Sequence, residues 1–214
     1  MELTDNQIQR ISNYLDTKGV KLIDFRIEIF DHIISQIEQK LEIENTNFET
    51  IFYQVTDGWN KQLNTDSSFL LGWAYSSPKT VIKKAKKIHK KLYTKVALLI
   101  SIPIFLGMLL NLSLFKIVLD AVNSQGLLIA SVFSIISGFI IYKSRREINK
   151  TVYSFLIKTQ ETQLFLGGIL LFMYSFDVPS IEILILFTFS NCYLIVLNFK
   201  HRKEKEKYTL LIEK

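Results

Sequence analysis

The chain has 214 residues, 49% of them hydrophobic and 21% charged, and its 26 Lys+Arg outnumber 20 Asp+Glu for a net charge of +6. Residues 1 to 80 hold 12 acidic against 7 basic side chains, a net of −5, whereas residues 81 to 214 hold 8 against 19, a net of +11. Such segregation puts the two parts in different surroundings. A single cysteine, Cys192, excludes a disulfide framework or a cysteine-built metal site within one chain.

The N-terminus, MELTDNQIQR, lacks a basic n-region and an apolar h-region, so no cleavable signal peptide is expected. Thr4-Asp5-Asn6-Gln7 is a capping box, Ile8, Ile11 and Leu15 fall on one face, and Gly19 supplies a stop. Residues 22 to 30, LIDFRIEIF, alternate like a strand. Ile29, Ile33, Ile37 and Leu41 nevertheless continue at helical spacing without Gly or Pro, which predicts one helix from Lys21 to Glu42. Thr46-Asn47-Phe48-Glu49 is a second capping box, opening a helix whose face is Phe48, Ile51, Phe52, Val55 and Trp59. Three such helices bury one small core.

Glu28, Asp31 and His32 lie within about one helical turn and invite a metal or acid/base reading. Two or three ligands on one helix do not make a site, and there is no HExxH. His89 and His201 lie in basic flanks unsuited to holding a cation, which ranks helix capping, packing or a local hydrogen bond above catalysis or metal binding at His32. No catalytic residues, metal ligands or cofactor-binding motif are assigned, and the chain is expected not to be an enzyme.

The helical layout, with LIDFRIEIFDHI in the second helix, NFETIFYQV in the third and Gly58-Trp59 near its end, resembles the cytoplasmic HAAS or permease-prefix domains that precede bacterial membrane bundles. The resemblance covers about residues 1 to 65. It implies a signalling or partner-docking module and brings no catalytic residues.

Residues 66 to 95 read as a linker and a basic helix, with Ser77 and Pro78 suited to N-cap and N1 and Val81, Ala85, Ile88 and Leu92 as its apolar stripe. Lys83, Lys84, Lys86, Lys87, Lys90 and Lys91 each add about 1 kcal/mol beside anionic lipid headgroups, and Trp73, Tyr75 and Tyr93 suit an interface. A lysine run abutting an apolar span already has that anionic partner, which ranks lipid above nucleic acid.

Val96 to Phe115 is 20 residues without a charge, 13 of them Leu, Ile, Val or Phe. At 1.5 Å per residue it matches a hydrocarbon core of about 30 Å. Residues 123–142 and 181–199 form two further spans. The apolar run Leu164 to Phe176 is only 13 residues and needs a start near Tyr153, giving a span at 153–176. That extension includes Lys158, Gln160, Glu161 and Gln163. Either these groups sit at headgroup depth on a tilted helix, or Lys158 and Glu161, as i, i+3 neighbours, form an intramembrane polar site.

Within the spans, Ala130, Ser134 and Gly138 repeat as a small-xxx-small face, Ser131 and Ser137 widen the polar surface, and Gly167-Gly168 permits close packing. Asn111, Thr188, Asn191 and Asn198 suit hydrogen bonds across helices, within one protomer or between copies, or a polar pore lining. Lysine and arginine precede span one and follow spans two and four, including Lys143, Arg145, Arg146, Lys150, Lys200, Arg202 and Lys203. By the positive-inside rule both termini face the cytoplasm.

The expectation is an all-α protein: a three-helix domain at 1–65, a four-helix transmembrane bundle at 96–199 and a basic tail at 200–214, in the bacterial inner membrane. Its expected role is to dock an unknown protein partner in signalling or regulation. The competing expectation is a homo-oligomeric channel or membrane-permeabilising effector.

Overall fold

The computed structural model describes residues 2–44, 46–110, 113–161, 165, 168–169, 172 and 181–212. The chain is mostly helical, with one short two-stranded sheet among the described residues. It divides into two compact units: Met1–Lys86 with Ile148–Val152 and Arg202–Lys214, and Lys87–Glu147 with Tyr153–His201.

The first unit opens with α1 (Asp5–Thr17), α2 (Ile23–Glu44) and α3 (Phe48–Leu63). At the start of α1 the Thr4 N–H donates to Gln7 Oε1 at 2.9 Å, supplying a partner for a backbone donor that precedes the helical ladder. Gly19, at φ +68°, turns the chain out of α1 in a conformation that a Cβ would disfavour. The strand-like alternation of LIDFRIEIF yields to helical spacing because Ile29, Ile33 and Ile37 then fall on one buried face. Ile11, Leu15 and Ile51 are also fully buried, each worth about 1.5 to 3 kcal/mol relative to exposure. The N-cap of α3 is Asn47, whose Oδ1 accepts from Thr50 N–H at 2.9 Å, one residue later than the capping box predicts.

Residues 65 to 78 form a hairpin where the end of the first domain and the linker from residue 66 are expected from sequence. β1 (Thr65–Ser68) and β2 (Gly72–Pro78) pair antiparallel, Thr65 opposite Pro78 and Asp66 opposite Ser77. A 3-10 turn, Phe69–Leu71, forms the tip, with Leu71 buried and Gly72 at φ +94°. Pro78 therefore ends a strand instead of opening the helix, and α4 (Lys79–Leu109) starts one residue later. Its first turns bury Val81, Ile82 and Ala85.

In the second unit α4 is followed by α5 (Ser113–Arg146), α6 (Val152–Thr159) and α7 (Ile181–Ile212), of which the last runs on past His201. Lys116 and Asp120, which lie between the expected spans 96–115 and 123–142, are part of α5, whose 34 residues make a helix of about 51 Å. Of the sequence-predicted segment 153–176, the structure describes α6, a turn at Gln160 and helical residues at 161, 165, 168, 169 and 172, the remainder lying outside the described residues. Among the described residues one helix, Lys79–Leu109, is long and apolar enough to cross a membrane.

This unit carries large apolar side chains on its surface as well as in its interior, where Leu156, Ile157, Leu194 and Leu197 are buried. Leu99 on α4, at 75% exposed, and Ile135 on α5, at 72%, stand among Leu98, Phe105, Leu109, Phe139 and Phe172, all exposed. Ser137, Ser144, Ser154, Thr159 and Asn191 are buried.

Candidate functional site

Three polar clusters in the two units carry the arrangement that the sequence leaves hidden. The first, in the first unit, centres on Asp24 at the start of α2, a carboxylate only 3% exposed. Its two oxygens accept the Val152 N–H, at 3.2 Å to Oδ1 and 3.1 Å to Oδ2. One residue before Asp24, the Ile23 N–H donates to Lys150 O at 2.7 Å, and Leu22 and Lys150 form an isolated parallel bridge. The short segment Ile148–Val152 is thus held to the N-terminal helices by backbone pairing and by a buried acid. Burial pushes the Asp24 carboxyl above its ordinary range, while the Val152 N–H and the Lys84 ammonium pull it down and Glu204 pushes it up. Lys84 itself pairs with Glu28 and lies 5.3 Å from the centroid of the Phe25 ring. The phenol of Tyr208 is raised by burial and then by Glu204, Asp24 and Glu28.

In the second unit, His201 Nε2 meets Glu147 Oε2 at 2.7 Å, with His201 1% exposed. Arg145 Nε donates to Glu161 Oε1 at 2.7 Å, and its Nη2 reaches the second oxygen, a fork that fixes orientation as well as charge. A third cluster pairs His89 Nδ1 with the Tyr193 hydroxyl at 2.7 Å. Tyr93 packs edge-on against Phe189, centroids 4.7 Å apart, and against Tyr193. Burial pushes His89 below the usual histidine range.

The residues singled out from sequence are distributed unevenly over these clusters. Asn191 is buried: its Nδ2 donates to Phe187 O at 2.8 Å, and Ser137 donates to its Oδ1. The Ser137–Asn191 bond joins α5 to α7. Asn198 is half-buried on α7. Glu161 is engaged by Arg145, and Lys158 is exposed near the end of α6. Gly138 and Gly168 face open space, where an added Cβ would meet nothing within 4 Å, and Ser134 is half-buried. Ala130 belongs to α5, but its side chain lies outside the described residues, as do Asn111 and Gly167. Lys83, Lys86, Lys87, Lys90 and Lys91 are exposed, whereas Lys84 turns to Glu28.

His32 is exposed, and among the described residues no group of three His, Cys, Asp or Glu is placed to hold a metal ion. His89 and His201, read from sequence as members of basic flanks, are instead buried and hydrogen-bonded. For His89 the signal was present: Ile82 and Ala85 lie seven and four residues before it, on the same buried helical face. Compared with known proteins, the chain matches no family model, no curated protein and no solved structure.

Proposed function

We propose that this chain is a non-enzymatic, multi-pass protein of the bacterial inner membrane, with four membrane helices and cytoplasmic termini. Its N-terminal helices dock a protein partner and couple it to the membrane helices, in signalling or regulation. The observation that carries the membrane assignment is the apolar surface of the second unit, with Leu98, Leu99, Phe105 and Leu109 exposed on α4 and Ile135 and Phe139 on α5. In water, exposing so much contiguous apolar surface is unfavourable, whereas in hydrocarbon the unfavourable arrangement is an unsatisfied polar group.

The coupling rests on connectivity. Glu147 and His201, which bond to each other, are the residues immediately before Ile148 and Arg202, where the chain re-enters the first unit. Asp24 and Leu22 then hold the first of those re-entrant segments.

Two measurements test this. Alkaline carbonate extraction of cell membranes should leave the protein in the pellet, and its release would remove the membrane assignment. Affinity capture from gently solubilised membranes should yield a partner that is lost when residues 1–65 are deleted. An unchanged set of co-purifying proteins would remove the docking assignment.

The channel or permeabilising-effector reading has one observation in its favour, the exposed Gly138 four residues after Ser134 on α5, which offers close approach to a second copy. Dye release from liposomes containing the purified protein would support it over the docking reading, and tight vesicles would remove it.

A further inference from the structure

We propose that a groove along α4 and α7 binds one acyl chain of an anionic phospholipid, with the lipid phosphate held by Lys87 and Lys90. The inference rests on the membrane reading and deepens it from general headgroup attraction to a defined site. The groove has a volume of about 410 Å³ and an almost wholly apolar lining that includes Tyr93, Ala97, Ser101, Met108, Ile185 and Phe189.

Size selects the occupant. Tyr93 to Met108 covers 15 residue steps of α4, about 22 Å at 1.5 Å per step. A volume of about 410 Å³ over that length leaves a mean cross-section of about 19 Å², enough for one extended hydrocarbon chain. A helix of about 10 Å diameter would occupy roughly 1,700 Å³ over the same length and does not fit within it.

Charge selects the class of lipid. Lys87, Thr94, Ser101 and Met108 follow one another at seven-residue steps, as do Lys90, Ala97 and Ile104. Seven residues return to within about 20° of the same direction, so Lys90 heads the lining pair Ala97 and Ile104, and Lys87, two heptads before Ser101, lies about 40° from it at the edge of the same stripe. Lys87 and Lys90 precede Tyr93 by six and three residues, about 9 Å and 5 Å along the axis. Both are exposed. The Tyr93 ring, packed edge-on against Phe189, marks where the apolar lining gives way to this cationic stretch. A chain lying in the groove therefore carries its phosphate to the two ammonium groups.

The test uses the full-length protein, delipidated in detergent and re-exposed to phosphatidylglycerol or phosphatidylcholine of identical acyl chains, with retention read by native mass spectrometry. Inorganic phosphate forms a third arm. Wild-type protein should retain phosphatidylglycerol about thirtyfold better, the product of two lysines at their usual headgroup contribution. The double variant Lys87→Gln/Lys90→Gln should retain both lipids equally. Ala97→Phe, or the smaller change Ser101→Leu if the first perturbs folding, should reduce retention of both. Equal retention of the two lipids by wild type, or full retention by the groove-filled variants, would overturn the proposal. Retention of phosphate without lipid would overturn it in favour of a free-anion site. Failure of the membrane reading shows separately, as release of the protein by alkaline carbonate.

Discussion

His201 Nε2 and Glu147 Oε2 lie 2.7 Å apart although 54 residues separate them in sequence, and each is the last residue of the second unit before the chain returns to the first. With His201 1% exposed, the pair sits where an unmatched partner is costly. His201→Ala leaves Glu147 without this partner, and about 1 to 3 kcal/mol of stability is expected to be lost. In a protein of this length that lowers the thermal midpoint by about 2 to 4 °C per kcal/mol. The coupling reading adds a second outcome: limited proteolysis should show faster cleavage within 202–212 in the variant. A lowered midpoint with unchanged cleavage would make the pair a packing feature alone.

Asp24 yields a prediction that separates its hydrogen bonds from its charge. Asp24→Ala removes the acceptor of the Val152 N–H, at an expected cost of about 1 to 3 kcal/mol. Asp24→Asn keeps one acceptor oxygen and removes a charge that burial disfavours, so it should cost less than the alanine change at neutral pH. The sign with pH follows from linkage. Because the folded carboxyl is raised above its unfolded value near 3.9, the folded state holds more protons between the two pKa values. Lowering pH from neutrality through that window therefore stabilises wild type relative to Asp24→Asn. Thermal melts of both proteins across the series measure the difference, and a difference that shrinks or stays flat as pH falls would contradict the assignment.

What the sequence made legible was local. The Thr4–Gln7 capping box, the Gly19 stop and the Ile29, Ile33, Ile37 spacing all act within a few residues, and each is present. The hairpin was hidden because Thr65–Ser68 carries no apolar alternation and Gly72–Pro78 ends in Ser-Ser-Pro, which suits a helix start equally well. The clusters were hidden for a different reason: Asp24 is defined by a backbone N–H 128 residues away, and Glu147 by a histidine embedded among lysines. Local spacing cannot carry such pairings.

His89 titrates in the opposite sense to Asp24. Burial lowers its folded pKa below the unfolded value near 6.5, so as pH falls through 6.5 the unfolded state takes up the proton first and stability declines until the folded pKa is reached. His89→Gln should flatten that decline while retaining a polar partner for the Tyr193 hydroxyl. Tyr193→Phe should cost about 0.5 to 1.5 kcal/mol, the usual net worth of one hydrogen bond. Thermal melts between pH 7 and pH 5 decide this, and an undiminished slope in His89→Gln would assign the titration elsewhere.

Two glycines give predictions of opposite sign from the same substitution. Gly19 sits at φ +68° with no atom within 4 Å of an added Cβ, so only backbone conformation opposes Gly19→Ala. The left-handed region costs an ordinary residue about 1 to 2 kcal/mol, and that loss is expected. Gly58 lies inside α3 with equal space around it, and its φ falls outside the left-handed range. There Gly58→Ala removes backbone freedom from the unfolded chain without strain in the folded one, for an expected gain of about 0.5 to 1 kcal/mol. Thermal melts of the two single variants and the double variant test both signs. Because the sites belong to different elements and space is open at each, the double variant should equal the sum of the singles to within about 0.5 kcal/mol. A loss in both variants would mean that α3 needs the freedom of Gly58, and the helical assignment at Gly58-Trp59 would have to yield to a bend.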